Sequence, residues 1–137
     1  HWVYPYQTGN SRHGLFSAND SNNWWNSRIE SNGKYEFWYG SNGNNPNTQT
    51  TTSPPTNKWS HFAATVDSDD YTVKVYYNGS FENSRSDGDT PNYKQFSNPT
   101  LGSRSGGNYA DARIDDVRIY SRVLPESEIN RISNLNG

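Results

Sequence analysis

The chain has 137 residues, short enough for one domain and long enough to bury a two-layer core. A net charge of -2 and a pI near 5.9 give no sign of the basic surface that nucleic-acid binding needs, and no apolar run reaches membrane-spanning length. Cysteine is absent, which excludes disulfides, thiolate nucleophiles and cysteine-based zinc sites.

Only 29% of the residues are hydrophobic, yet 15% are aromatic, with five Trp and ten Tyr. Few but large apolar side chains suit a thin sandwich of two sheets, because each ring buries a large area. Taken in chain order, His1 to Tyr6 reads as a strand with aromatics at Trp2, Tyr4 and Tyr6. A turn from Gly9 to Gly14 leads to a short strand around Leu15 to Ser17, and Asn19 to Asn23 is a polar loop. Trp25 to Glu30 and Lys34 to Tyr39 flank Ser31-Asn32-Gly33 as a hairpin. A two-residue turn would mix apolar and charged faces. A three-residue loop with Gly33 left-handed instead sets Ile29 opposite Tyr35 and Ser27 opposite Phe37. The other face then pairs Glu30 with Lys34, Arg28 with Glu36 and Asn26 with Trp38, so the three-residue loop is expected.

Ser41 to Asn57, rich in Asn, Thr, Ser and Pro, reads as a long loop. In Trp59 to Asp67, the side chains of Phe62, Ala64 and Val66 face one way and those of His61, Ala63 and Thr65 the other. Thr72 to Tyr77 follows, with Val73, Val75 and Tyr77 on one face and Lys74 and Tyr76 outward; Asn78-Gly79 then marks a tight turn. Ser86 to Asn98 is a polar loop, Pro99 to Ser103 a short strand and Ile114 to Tyr120 the last strand. Pro125 to Ile132 is the one helix candidate, with Pro in the first turn and Glu126 and Glu128 near the positive end of the dipole.

Three segments carry a family pattern: WSHFAATVD from Trp59, VKVYYNGSF from Val73, and LGSRSGG leading into ARIDDVRIYSRVLPESEI from Ala112. In order, spacing and residue types they resemble the laminin-G-like, concanavalin A-like jelly-roll domains. Trp59, His61, Ala63, Tyr76, Asn78 and Gly79 match the central strands. Ile114, Asp115, Val117, Arg118, Ile119 and Tyr120 match the closing strand, and Leu124, Glu128 and Ile129 the helix, while Pro125 stands where that family places a capping Ser. The resemblance implies an all-β fold over residues 1–137: an antiparallel two-sheet β-sandwich of jelly-roll type with one short C-terminal helix. Family members carry one or more strands ahead of the one that resembles WVYPY. The chain, which has no Met, is therefore expected to be a processed piece lacking N-terminal strand(s), with open sheet edges that another segment or subunit fills.

The related retaining glucanases carry a Glu-x-Asp-x-(x)-Glu run, and this sequence has none. Glu30 and Glu36 each face a basic partner and read as surface ion pairs rather than an acid/base pair. His1 with His61 could hold copper through the terminal amine and two imidazoles if His1 were a mature terminus. Asp67, Asp69 and Asp70, like Asp87 and Asp89, are acidic turns without the spacing of a calcium loop. In concanavalin A-like relatives an Asp in the position of Asp115 often binds structural calcium. Sugar contact is expected at exposed rings with polar neighbours: Trp24 and Trp38 beside Asn26, Arg28 and Glu36, with His61 and Tyr76 facing outward on other strands. Two glycosylation sequons, Asn19-Asp20-Ser21 and Asn78-Gly79-Ser80, are no more than chance predicts in a chain so rich in Asn and Ser.

The expectation is a non-catalytic carbohydrate-binding or adhesion module of a larger extracellular or cell-surface protein. Its partners would be a glycan or polysaccharide and other domains or subunits, not nucleic acid, and it would not insert in a membrane. The alternatives are a structural subunit of a surface fibre or virion, using open edges for assembly, and a copper enzyme.

Overall fold

A computed structural model describes residues 1–19, 23–41, 47–67, 69–70, 72–86, 98–104 and 107–135. Asp87 and Asp89, and Asp20 and Ser21 of the first sequon, lie outside these residues. Two five-stranded antiparallel sheets face each other. One runs in the order β10-β1-β6-β7-β8, built from Ala112–Asp115, Trp2–Pro5, Ser60–Val66, Thr72–Tyr77 and Ser80–Ser86. The other runs β5-β4-β3-β2-β9, built from Asn47–Gln49, Tyr35–Ser41, Asn23–Ile29, His13–Asn19 and Pro99–Leu101. The helix α1 (Glu126–Ser133) follows the last strand. The expected jelly-roll sandwich with one short helix is the fold observed.

Period-2 patterning explains the core. Val3, Phe62, Val73 and Val75 from the β6 sheet meet Leu15, Ile29, Tyr35, Phe37 and Tyr39 from the β3 sheet. Tyr35 stacks on Phe62 across the gap at 4.9 Å, and Trp25 packs edge-on against Tyr39 at 4.9 Å. Each fully buried side chain of this size stabilises by about 1.5–3 kcal/mol. The β3–β4 hairpin has the expected register, with Ile29 opposite Tyr35, Ser27 opposite Phe37, Arg28 opposite Glu36 and Asn26 opposite Trp38. Glu30 N–H donates to Lys34 O and Gly33 N–H to Glu30 O, both at 2.8 Å, with Gly33 at φ 81°. No side-chain hydrogen bond joins Glu30 to Lys34; the Glu30 carboxylate turns to Arg12 and Arg28 instead.

Two expectations are corrected. The segment read as one long loop from Ser41 contains the edge strand β5, which pairs Gln49 with Glu36 and Asn47 with Trp38. Its polar residues hide it from a hydrophobic pattern, because at the sheet edge the position facing inward opposite Phe37 is filled by a buried threonine, Thr48. The closing strand ends at Asp115 rather than Tyr120. Asp116 takes a left-handed φ of 49°, and Val117 to Tyr120 continue outside either sheet.

The helix covers the outer face of the β6 sheet, where Ile129, Ile132 and Leu124 bury Tyr76 and Ala63. Asn78 and Gly79, at φ 48° and 83°, make the β7–β8 turn, and a Cβ on Gly79 would fall onto Ser133 Oγ and Asn130 Cα. Pro125 opens the helix without a side-chain cap, and Glu126 instead accepts the Phe81 N–H at 2.9 Å.

Candidate functional site

The outer face of the β3 sheet collects the even-numbered residues of β3 and β4, and it is polar yet largely covered. Arg28 sits at its centre. Its Nη2 lies 2.6 Å from both Glu30 Oε1 and Glu36 Oε1. Arg12 Nε donates to the two oxygens of Glu30 at 2.8 and 3.1 Å, and Gln49 Nε2 donates to Glu36 Oε2 at 2.6 Å. Arg28, Glu30 and Glu36 are all buried, so the expected surface ion pairs are interior ones. Burial works to raise the pKa of Glu30, but the Ser31 N–H, Arg12 and Arg28 outweigh it and hold the carboxyl below its ordinary range. Glu30 therefore stays ionised, which does not suit a general acid.

Beside this network lies an aromatic pair. Trp24 and Trp38 are half-buried and parallel, 6.0 Å apart with their planes 7° from each other. Two guanidinium groups flank Trp38, Arg28 at 5.2 Å and Arg104 at 4.9 Å from its ring centre. Arg104 comes from the turn after β9, which closes through Gly107 N–H to Arg104 O and Gly14 N–H to Asn108 O. That turn rests directly on β2: a Cβ at Gly14 would fall onto the backbone of Ser103 and Arg104. Burial, then the nearby charges of Arg28 and Arg12, lower the pKa of Arg104. Its guanidinium makes no ion pair among the described residues.

Asn26 lies between the two halves, opposite Trp38 and 1% exposed, and neither atom of its amide has a partner among the described residues. Nε and Nη1 of Arg28 are in the same position. An unsatisfied buried polar group costs about 1–3 kcal/mol, so four such atoms on two neighbouring side chains of one face call for an explanation.

Trp24, Trp38, Asn26, Arg28 and Glu36 are thus brought together. His61 and Tyr76 are not: they belong to the other sheet, and both are buried, Tyr76 beneath α1 and His61 against the edge of Trp2 at 5.4 Å. Nor do His1 and His61 converge on one ion. The His1 ring packs inward on Phe62, with Nε2 3.2 Å from Ser27 Oγ, whereas His61 shares the opposite face with Trp2. Burial, then the charge of the His1 amine, lowers the His61 pKa to about 4. Asp115 is exposed and accepts the N–H of Asp116, and no group of three or more metal-ligating side chains occurs among the described residues, so Asp115 alone does not fit calcium. Arg12, Gln49 and Arg104 were not legible as site residues. Arg104 stands in a Gly- and Ser-rich turn, and only the packing of that turn against Gly14 brings it over Trp38.

A family model described as the concanavalin A-like lectin/glucanases superfamily matches residues 1–130. No curated protein matches the sequence. The CBM40 of the Ruminococcus gnavus IT-sialidase, bound to alpha2,3 sialyllactose, superimposes with a TM-score of 0.80 at 15% identity, covering 97% of this chain and 80% of that one. Domain 4 of an extracellular arabinanase from Geobacillus stearothermophilus, in complex with arabinotriose, gives 0.71 at 24% identity, with 97% and 64% covered. The heptameric SAP-like pentraxin from Limulus polyphemus gives 0.74 at 16% identity, with 99% and 68% covered.

Proposed function

The chain belongs to the concanavalin A-like lectin/glucanase superfamily, and on that footing we propose that it is a non-catalytic glycan-binding module whose ligand lies on the outer face of the β3 sheet. The observation that carries this reading is the buried Asn26 amide, without a partner among the described residues, beside the parallel indoles of Trp24 and Trp38. An indole offers its face to the apolar C–H side of a sugar ring, while amide and guanidinium groups fork to hydroxyl pairs. Arg28 and Arg104 add two cations to the same face, and Arg104 makes no direct ion pair among the described residues, although Glu30 and Glu36 lie near enough to act on its charge. The face therefore favours a sugar with an acidic or hydroxyl-dense edge over a purely apolar ligand. Two of the similar structures hold an oligosaccharide, which supports the same reading.

Catalysis is disfavoured by the charge balance. Glycosidic cleavage needs one carboxyl kept protonated and one free to attack, whereas Glu30 and Glu36 share one guanidinium nitrogen and Glu30 is held ionised. The module reads as part of an extracellular or surface protein, as in the extracellular arabinanase.

The test is a glycan array followed by calorimetric titration of the best sialylated and arabinose-based oligosaccharides. Trp38→Ala is expected to weaken binding about tenfold or more, equivalent to about 1.4 kcal/mol, while Tyr76→Phe leaves it unchanged. Failure of the unaltered protein to bind any glycan on the array, with light scattering showing self-association instead, would overturn the reading in favour of an assembly subunit.

A further inference from the structure

On the outer face of the β6 sheet, α1 buries Tyr76 and Ala63, while Trp59 and Tyr6 remain 40% and 39% exposed. These two rings belong to a second aromatic group, over β10, β1 and the start of β6. Val3 and Ile114 point into the core, so Tyr4 and its partner Arg113 point out. Continuing the pairing of Trp2 with His61 and Val3 with Ser60 sets Tyr4 beside Trp59. Tyr4 meets both Trp59 and Tyr6 edge to face, each at 5.5 Å.

Arg113 is pinned against these rings. Its guanidinium lies 5.5 Å from the Tyr4 ring centre and 5.7 Å from that of Tyr6, and its Nε donates to Tyr6 Oη at 2.5 Å. Its two terminal nitrogens have no partner among the described residues, so a planar fork of donors is held in a fixed orientation. Asp111 and Asp115, two residues to either side, are exposed. One oxygen of each is taken, by Gln7 Nε2 and by the Asp116 N–H, and the other has no partner among the described residues. One row along the same face, Trp2 Nε1 and Nδ1 of the 3% exposed His61 are also buried without a partner among those residues.

We propose that Trp59, Tyr4, Tyr6 and Arg113 form a second glycan platform, facing away from the first, whose ligand is a neutral sugar. The exposed parts of the three rings amount to on the order of 200 Å², well short of the ~800 Å² a side that a stable protein interface buries. A sugar needs no more than one ring to stack on. Its hydroxyls both donate and accept, which suits a guanidinium fork set between two carboxylates. Charge separates the two faces. The first gathers Arg12, Arg28 and Arg104 around Glu30 and Glu36, whereas here one cation stands between two acids, which disfavours an anionic sugar. The choice of a sugar rests on the glycan-binding reading above, but the two platforms share no residue.

The experiment screens Trp38→Ala, which disables the first face, against an array of neutral oligosaccharides. The tightest of them is then titrated into the same protein by NMR, reading the Trp59 indole N–H and the Arg113 Nε–H. Binding is expected to persist, with the two signals shifting together to saturation. Adding Trp59→Ala to Trp38→Ala should weaken it about tenfold or more. Arg113→Ala should do the same, and it keeps the ring that packs on Tyr4, so a loss of folding in the Trp59 variant does not decide the result. If the unaltered protein binds glycans and Trp38→Ala binds none, the second platform is overturned while the first stands. If the unaltered protein binds none either, both readings fall. Binding to Trp38→Ala that neither added substitution weakens also overturns the proposal.

Discussion

Arg28 holds two carboxylates through one nitrogen, 2.6 Å from each, in a place where all three side chains are buried. Such a triad adds little stability as a whole, but removing its cation leaves two buried carboxylates to repel each other. Arg28→Met is therefore expected to cost about 3–5 kcal/mol at pH 7, measured by urea denaturation. Arg28→Lys, which keeps a cation beside the carboxylates, should recover part of that loss. An equal loss in both variants would mean that packing alone is at stake. The sequence showed this pairing between Arg28 and Glu36 but not its burial. Period-2 patterning assigns a side chain to a face and cannot say what lies over that face, here the Arg104 turn and the side chains of Arg12 and Gln49.

At the level of elements, what decides is which backbone lies next to which. The β3–β4 register was readable because a Gly in a three-residue loop and two alternating patterns agree on one alignment. The last strand stops at Asp115 although alternating Val117, Ile119 and their neighbours carry a strand pattern on to Tyr120, because the left-handed turn at Asp116 takes the chain out of its pairing. Tyr76 was placed on its correct face, but the helix that covers it is distant in sequence. Gly14 offers the test at this scale. Gly14→Ala would press a methyl against the backbone of Ser103 and Arg104, costing about 1–3 kcal/mol as overpacking does. Because the same turn carries Arg104 over Trp38, the glycan affinity proposed for this face should fall as well, even at temperatures where the variant is fully folded. Full affinity in a folded Gly14→Ala protein would detach Arg104 from the ligand.

Across the whole molecule the two sheets are fastened unevenly. On one flank Glu82 of β8 accepts the N–H and hydroxyl groups of both Thr51 and Thr52, just after β5. Asn83 donates to Gln49 O and Arg85 to Asn47 Oδ1 beside it. Burial works to raise the pKa of Glu82, but the four hydrogen bonds outweigh it and the folded value lies below the ordinary one. A lowered folded pKa means the clasp stabilises above the unfolded value of 4.5 and is lost as pH falls through the folded value. Glu82→Gln should then lower the Tm at pH 7, by about 3 °C for each kcal/mol lost, and make no difference once the pH lies below the folded value. A Tm gap that persists in acid would show that the carboxylate charge is not what fastens the flank. On the opposite flank the segment leading into β10 is tied to β2 and to the end of β9, through Gly14 N–H to Asn108 O and Ala110 N–H to Gly102 O, both at 2.8 Å. Both long edges of the sandwich are thus stitched, and the weakest seam runs through the middle of one sheet, where β6 meets β1 only from Ser60 to Phe62. Thermal breathing should begin at that seam, letting water and denaturant in beside Phe62 while both edges still hold.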